Sequence, residues 1–524
     1  MKLIDVVVAA SAFAPEVKLK SKMLEPLKKL GLGISMERFM GGALGLSVGF
    51  GFLISVLALL IGESVAFGLF GFAFFFAFLL YLPSMEIRRR TSEFEARLPF
   101  VLRTISMLLE MRLPFQRALE IVAKSEPELR PVVDDISKGI TVQKSFAHLA
   151  TFYDSYTLKR AFSQLLTAYE VGSSGNEVGR IGDEMLSIQR HALREHSSRS
   201  AMFGLMFVVC AAVLPTFFLV YAVLGQLTNG QVADRIGITI AMLVVFPLIS
   251  LMILLVAKSL LPRSAIESGT GNADGAVIVP AGAIILALLI LPENVTIFAI
   301  MAGLAAIVFL VYRKYQEEKR IEELERHLPD ALFSASGLPK STKIEDLFGM
   351  IEKAGYGTLS EEAAKSRKQL AVNLSTNLVL EDLASRNKSQ MLGRTCDMLG
   401  HVFSTNSFDR LNRLAEDITK FVEIRRERAG ILSMQKYTMV LGGFIVPLIL
   451  KITLNLLTSM AEFFTTEAEP QLQFVYSIIP AYIVIYGLLS YFYISSMEEN
   501  RSGPAAYFLG IVLSGMVTFF FINI

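Results

Sequence analysis

The chain has 524 residues, of which 53% are hydrophobic and only 19% are charged, and its formal net charge is +2. A soluble chain of this length would carry more charge, and here the apolar residues fall in runs long enough to cross a bilayer as helices of about 20 residues. The balanced charge gives no indication of nucleic-acid binding. The composition excludes an ordinary soluble protein and predicts an all-α integral membrane protein.

The cysteines and histidines indicate neither a disulfide nor a metal site. Cys210 lies in an apolar run and Cys396 in a polar region, so we do not expect them to pair. His191 and His196 are five residues apart, which places their rings on different faces of a helix. We predict no metal, no cofactor and no catalytic residue, and we do not expect an enzyme.

The first segment of the chain, residues 1–40, is predicted to be an amphipathic cytoplasmic N-terminus. Its apolar run "VVVAASAFA" is short and preceded by Asp5, which argues against a signal peptide. The run "EVKLKSKMLEPLKKL" carries leucines near one helical face and lysines elsewhere. This helix lies either on the membrane surface or on the protein's own soluble part.

Nine membrane spans are predicted from the apolar runs, and the fifth is short and carries Pro280. The spans separate two polar regions of more than 100 residues. The expected segments after the N-terminus are a transmembrane hairpin (41–82), a first cytoplasmic helical domain (83–200), two spans (201–261), a cytoplasmic loop (262–276), a second hairpin (277–312), a second cytoplasmic helical domain (313–437), two spans (438–494), and a loop with the last span (495–524).

The positions of the basic residues predict the orientation. Of the 50 Lys and Arg, only Arg235 and Lys451 fall outside the segments that a cytoplasmic N-terminus would place inside the cell. Bases close to the ends of spans count most, and Arg199 and Arg313 agree with this orientation. We therefore expect a multi-pass cell-membrane protein with both large domains cytoplasmic and the C-terminus outside.

An internal repeat appears when the chain is compared with itself. "RLPFVL" around Pro99 in the first half corresponds to "HLPDAL" around Pro329 in the second. The intramembrane prolines repeat at nearly the same offset, since Pro215 corresponds to Pro447. Each predicted unit comprises a membrane hairpin, a cytoplasmic domain and two further spans, and the ninth span is an addition.

The cytoplasmic domains show apolar residues three and four apart, as in "PFQRALEIVAKS", and no alternating strand pattern. Each is predicted to be a helical bundle. Each ends in a charged helix, "EMLSIQRHALREHSSRS" or "EDITKFVEIRRERAG", that leads toward a span. A helix that continues into the membrane would transmit movement of the domain.

The glycine-rich stretch "VGSSGNEVGRIG" is predicted to be a turn between two helices. A phosphate-binding loop needs a lysine and follows a strand, whereas this stretch has no lysine and follows a helix. Gly172 and Gly175 would end one helix, and Ser174 or Asn176 would cap the next.

Both predicted helical domains open with L-P-x-x-L, and the first has a "G-x-S-G" turn before a proline-bearing span. In these features the chain resembles the type II secretion F-domain family. The resemblance covers roughly residues 85–260 and 315–490. Bacterial members often carry "G-E-x-S-G", which this chain lacks, and the second copy lacks the turn glycines. Two such domains in one chain are most similar to the archaeal branch, which serves type IV pili and the archaellum.

The resemblance implies a non-enzymatic platform above a hexameric cytoplasmic ATPase that moves pilin or archaellin subunits from the membrane into a filament. The filament type and the oligomeric state, including a homodimer, stay open. The candidate ATPase contacts are charged residues: Arg88, Arg89, Arg90, Lys159, Arg160, Arg180, Asp183 and Glu184 in the first domain, and Arg410, Arg413, Glu416, Asp417, Arg425, Arg426 and Arg428 in the second. The clusters beside spans are equally explained by anionic lipid.

The spans contain a second set of candidates, which form either a groove or plain helix packing: Gly41, Gly45, Gly49, Pro215, Pro247, Pro447, Lys451 and Pro480. The glycines lie four apart, as in close-packed membrane helices, and the prolines free backbone carbonyls. Lys451 is either functional or directed to the interface.

The main competing interpretation is a secondary transporter built from parallel four-helix repeats. Transporters of polar solutes place ionisable groups at mid-membrane, and these spans offer little besides Lys451. No kinase, phosphate-loop or hydrolase motif with matching context supports an enzyme.

Overall fold

A computed structural model describes residues 7, 9, 11, 35–60, 66–153, 155–172, 175–227, 235–260, 274–290, 293–339, 342–405, 407–464, 469–498 and 502–521. Within these residues the regular elements are all helices and no strand occurs, so the predicted all-α fold is confirmed for them. The chain divides into two compact units. One comprises Met1–Ser106 and Pro114–Met185, and the other Met107–Leu113 and Leu186–Ile524.

The first half of the chain contains two long helices that enclose a series of short ones. The helices are α1 (Met36–Leu60), α2 (Ala66–Glu110), α3 (Phe115–Ser125), α4 (Arg130–Ser137), α5 (Val142–Phe152), α6 (Tyr156–Glu170), α7 (Gly175–Leu227), α8 (Arg235–Ile240) and α9 (Phe246–Leu260), with a π-helical turn at Ala241–Val245 between the last two.

The second half likewise contains two long helices separated by short ones. Its helices are α10 (Asp274–Ile290), α11 (Glu293–Ser336), α12 (Ile344–Lys353), α13 (Thr358–Ala371), α14 (Thr376–Asn387), α15 (Gln390–Ser404), α16 (Leu411–Phe464), α17 (Glu469–Ser495) and α18 (Ser502–Phe521). The long helices α2 and α11 contain Pro99 and Pro329, respectively.

The short helices are amphipathic, and they bury their apolar faces. In α3, Ala118, Leu119, Val122 and Ala123 recur at helical spacing and are buried. In the second half, α11 to α15 and the start of α16 enclose one apolar core, which includes Leu328 and Val402. That core also takes in Met107 and Met111 from the end of α2.

Five described stretches are long and apolar enough to cross a membrane: Met202–Ala222, Gly237–Lys258, Phe408–Met460, Leu472–Ser495 and Ser502–Phe521. The short fifth predicted span corresponds to α10, whose apolar part Gly275–Leu288 is below that length. Residues 61–65 of the predicted hairpin 41–82 and residues 291 and 292 of the predicted hairpin 277–312 lie outside the described residues. The count of nine therefore stays a prediction.

The membrane prolines Pro215 and Pro447 lie inside long helices, and packing surrounds the carbonyls that they free. A proline leaves the carbonyl four residues earlier without its helical hydrogen bond. For Pro215 this is the Ala211 carbonyl, which accepts a hydrogen bond of 2.7 Å from the Tyr482 hydroxyl of α17. For Pro447 it is the Gly443 carbonyl, which lies against Gly515 of α18. Both carbonyls therefore lie at contacts between helices, and the choice between groove and packing stays a prediction.

The other two prolines lie in the helices that follow. Pro247 comes directly after the π-helical turn, which absorbs the irregularity that a proline imposes on a helix. Pro480 lies inside α17 and is buried among the residues around Tyr482.

The α1 glycines differ in how closely described atoms approach them. A Cβ added at Gly45 or Gly49 would meet no described atom within 4 Å, although Gly41 is buried. The close contact lies instead at Gly51, where an added Cβ would be 2.9 Å from the carbonyl oxygen of Gly68 in α2. Gly51 is two residues beyond Gly49, which corresponds to about 200° around the helix.

Lys451 is buried, with 6% of its surface exposed. Its amine donates a 2.6 Å hydrogen bond to the Phe519 carbonyl in the last turn of α18. The final carbonyls of a helix have no helical partner, and positive charge is favourable at that end. Lys451 therefore caps α18.

A buried carboxylate connects α11, α13 and α14 through ion pairs. Glu362 of α13 is only 1% exposed and contacts Arg320 of α11 at 2.7 Å, Lys365 at 2.7 Å and Arg386 of α14 at 3.2 Å. Burial by itself raises the pKa of Glu362, but the hydrogen bonds from Lys365 and Asn387 and the nearby charges outweigh it, so the pKa is lowered. The ionised carboxylate is the form that the fold stabilises.

We expect Tyr482→Phe to lower the free energy of unfolding by about 1 kcal/mol, because the Ala211 carbonyl would lose its donor where no water replaces it. Thermal unfolding of the purified chain in detergent measures the change. Tyr221→Phe removes a hydroxyl from an exposed tyrosine and serves as the control. Equal unfolding temperatures for the two variants would contradict the assigned role.

We expect Glu362→Gln to lower the free energy of unfolding by about 2 kcal/mol at neutral pH, since three bases lose a charged partner. The exposed neighbour Glu361→Gln is the matched control. Because the folded pKa of Glu362 is lowered, its contribution is complete above the ordinary carboxyl pKa and is lost as the pH falls through the folded value. The Glu362→Gln variant should lack this part of the dependence of unfolding free energy on pH. If the variant and the wild type lose stability with acid in the same way, Glu362 does not have this role.

Candidate functional site

In the first helical domain, α2 and the start of α7 lie in close contact. A Cβ added at Gly182 of α7 would lie 3.0 Å from the Pro99 carbonyl oxygen of α2, so a larger residue would push the two helices apart. Ser106 donates a 2.7 Å hydrogen bond to the carbonyl of Gly175. Together these contacts position the beginning of α7, the helix that continues into a candidate span.

The glycine-rich stretch lies between α6 and α7. Gly172 has a φ of +65°, a left-handed conformation that glycine adopts without strain. Residues 173 and 174, including the predicted cap Ser174, lie outside the described residues. Gly175 begins α7 and does not end α6, and Asn176 lies within α7. The stretch is a helix–turn–helix connection, as predicted.

A pairing of glutamate with serine occurs in both helical domains. Ser155 caps α6 by accepting from the Leu158 amide at 3.3 Å, and its hydroxyl donates to Glu95 of α2. In the same way Ser389 caps α15 and donates to Glu325 of α11 at 2.5 Å. Burial raises the pKa of Glu95, an effect that the Ser155 hydrogen bond reduces.

These two pairs share a sequence signal that the sequence analysis missed. Glu95 and Glu325 are each four residues before the proline of the L-P-x-x-L helix, within E-x-x-L-P. Ser155 and Ser389 each begin an S-x-x-L sequence. Comparing the two halves around Pro99 and Pro329 would have identified the glutamates, but not their serine partners.

The structure places the candidate charges of the first domain in three settings. Asp183 forms an ion pair with Arg103, whose side chain is 9% exposed, at 2.5 Å. Glu184 pairs with Arg160 of α6. Arg180 is exposed and forms no ion pair with a described residue. Lys159 is exposed on α6.

The side chains of Arg88–Arg90 contact other residues of α2. Arg89 contacts Glu86 and Glu93 at 2.5 Å each, and Arg90 contacts Glu86 at 3.4 Å. The Arg88 guanidinium lies 6.0 Å from the centroid of the Tyr81 ring.

In the second unit, most candidate bases bind buried carboxylates. Arg410 and Arg413 converge on Glu110, the last residue of α2, whose side chain is 5% exposed. Arg425 pairs with Glu325, the partner of Ser389. These three arginines therefore stabilise the unit internally and are poorly placed to bind another protein.

The remaining candidates of the second domain are more accessible. Arg426 and Glu416 are exposed, and Glu416 accepts a 3.2 Å hydrogen bond from Asn412. Asp417 and Arg428 are half-buried. The neighbouring Glu427, which the sequence analysis did not select, contacts Arg190 at 3.5 Å and Arg194 at 2.6 Å on α7.

No cluster of His, Cys, Asp and Glu able to hold a metal ion occurs among the residues that the structure describes. What the helical domains present is an accessible charged face around Arg180 on α7, which we call the α7 face and define as Glu177, Arg180 and Glu184. Accessible charges of both signs suit a reversible protein contact.

One comparison with known proteins gives a match. The family model described as "Type II secretion system (T2SS), protein F" matches residues 101–224, from the end of α2 through α3 to α6 and along most of α7. No curated protein and no solved structure matches the chain. The match covers most of the predicted first helical domain, its glycine turn and most of the proline-bearing span that follows. Leu98 and Pro99 of the L-P-x-x-L motif and the predicted second domain lie outside it. Residues 101–224 are therefore a type II secretion F domain.

Proposed function

We propose that the chain is the membrane platform of a type IV pilus-like machine of the archaeal branch, either an archaellum or an adhesion pilus. A cytoplasmic secretion ATPase docks on its helical domains, and pilin or archaellin subunits enter the filament beside its spans. The F domain at residues 101–224 carries this proposal, because members of that family serve secretion and pilus assembly.

The path from a docked ATPase to the membrane would run along long helices. In the second unit, α16 starts at Leu411 beside the helical core and continues through Pro447 to Phe464 as one helix. Its first turns are held by Glu110 and Glu325 through Arg410, Arg413 and Arg425. Because the helix has no break, displacement of its cytoplasmic end would move the membrane part.

The transporter alternative rests on the predicted internal repeat. A transporter of polar solutes would need an ionisable group at mid-membrane, and the Lys451 amine donates its hydrogen bond to the Phe519 carbonyl. No other described observation favours it.

Deletion of the gene tests the proposal directly. We expect the deletion strain to lose a surface filament in electron micrographs and the wild-type gene to restore it. A strain that retains all of its filaments but shows altered uptake of a solute would contradict the platform function.

The proposed orientation predicts a labelling pattern in intact cells. Lys368→Cys on α13 should react with a membrane-impermeant maleimide only after permeabilisation, because the second helical domain is cytoplasmic. Ala468→Cys, in the connection between the seventh and eighth predicted spans, should react without it. Labelling of Lys368→Cys in intact cells would overturn the orientation.

We expect Arg180→Glu to weaken capture of the purified ATPase about tenfold or more, since reversal of an accessible interface charge creates repulsion. The thermal stability of the chain should not change, because Arg180 has no described ion-pair partner. Lys124→Glu, an equally exposed reversal on α3, is the control and should bind normally.

A second variant on α7, Asp183→Lys, separates loss of the ATPase contact from loss of the chain's own stability. It would remove the acid that pairs with Arg103, so any loss of ATPase binding should come with a lower unfolding temperature. Normal binding by Arg180→Glu would remove the α7 face from the ATPase contact.

A further inference from the structure

We propose that α18, the helix that the second half adds, is a cap: it covers a surface of α16 on which a second copy of this chain would otherwise dock. This surface is the proline face of α16, defined by Gly443, Pro447 and Lys451. The proposal does not rest on the proposed function. It rests on a comparison of how the two halves use equivalent helices.

In the first half, the equivalent surface of α7 is defined by Ala211, Pro215 and Leu219, which have the same spacing around the proline. This surface is buried against the second half. The Ala211 carbonyl accepts from the Tyr482 hydroxyl of α17 at 2.7 Å, and Phe207 stacks on Tyr486 with ring centroids 5.1 Å apart. The first half therefore docks its proline face on the α17 side of the second half.

In the second half, α18 occupies the proline face. A Cβ added at Gly515 of α18 would lie 3.1 Å from the Gly443 carbonyl oxygen and 3.2 Å from the Pro447 ring. Ile511, one turn earlier, packs on Gly443. The helix thus lies closely on the surface that, in the first half, forms the contact between halves.

Charges hold α18 at both of its ends. At its N-terminus, Glu318 of α11 accepts hydrogen bonds from the amide of Ser502, at 3.0 Å, and from its hydroxyl. At its C-terminus, Lys451 donates to the Phe519 carbonyl. An acid at the start and a base at the end of a helix are the favourable arrangement for its dipole.

The first half lacks this pair of charges. Aligning the halves on the proline of the L-P-x-x-L helix places Arg88 opposite Glu318. Aligning them on the membrane proline places Leu219 opposite Lys451. A base at the first position would repel a helix N-terminus. The receptor for α18 is therefore specific to the second half, where the proline face needs a cover.

A contact is head-to-tail when one surface of a unit binds a different surface of the next unit. An assembly built from such contacts grows until a ring closes or a surface at its end is blocked. Within this chain the first half contacts the second in that way. Without α18, the proline face of one copy would be open to contact with the first half of another copy. The residue equivalent to Tyr482 in that half is Ile249, since each follows its proline, Pro480 or Pro247, by two positions.

Gly515→Leu tests the cap in the full-length chain. The added side chain would collide with Ile483, Gly443 and Pro447, and so it should displace α18. Gly510→Leu is the matched control on the same helix, since a Cβ there meets no atom within 4 Å. A chain that ends at residue 498 removes α18 entirely and is the second variant.

Two preparations of each chain, carrying different affinity tags, are mixed in detergent, and one tag is used for capture. We expect Gly515→Leu and the shortened chain to recover at least about tenfold more of the second copy than the wild type, a difference of about 1.4 kcal/mol. Gly510→Leu should behave as the wild type does.

The site of association is tested by cross-linking in shortened chains without native cysteines. A short bismaleimide should join Ile249→Cys in one copy to Gly443→Cys in the other. Association without this cross-link would place the contact elsewhere and overturn the proposal.

Equal capture by the wild type and by both altered chains would also overturn it, because α18 would then block nothing. If the shortened chain does not fold, Gly515→Leu decides. Its α18 is monitored by labelling of Thr518→Cys, which replaces a side chain that is buried in the wild type. Two outcomes for Gly515→Leu would contradict the cap. In one, Thr518→Cys is labelled but the chain captures no additional second copy. In the other, Thr518→Cys stays unlabelled and capture does not increase.

Discussion

A proline inside a membrane helix leaves one carbonyl without its helical hydrogen bond, and the bilayer core offers no water to replace it. Two such carbonyls determine how the described spans pack. The Ala211 carbonyl is satisfied by the Tyr482 hydroxyl, which fixes α17 against α7. The Gly443 carbonyl is approached by Gly515, which brings α18 against α16. Glycine at positions 442, 443, 487 and 515 permits these short distances.

In the helical domains, buried carboxylates play the corresponding part. Glu110, Glu325 and Glu362 each form ion pairs with one or more basic side chains. Arginines that the sequence suggests are surface charges therefore pair inside the protein. Breaking such a pair costs more than breaking an exposed one, because the remaining charge stays desolvated. The charges left for a partner are therefore fewer than the composition suggests, and Arg180 is the clearest of them.

Much of the fold could be predicted because it depends on local pattern. The short amphipathic helices, the turn at Gly172 and the continuous helix α16 follow from periodicity and from the positions of glycine and proline. The roles of individual charges could not, since whether Arg410 is free or paired depends on Glu110, 300 residues away. Spacing alone does not say which face of a helix meets a neighbour, so the contact of Gly51 with α2 did not follow from the glycine spacing of α1.

The end of α2 belongs in sequence to the first helical domain, yet Met107, Glu110 and Met111 contribute to the core and ion pairs of the second unit. Residues 313–437 expressed alone would lack these three side chains, and Arg410 and Arg413 would lose the acid that they share. The second unit thus depends on side chains from the end of α2 to complete its core and its ion pairs.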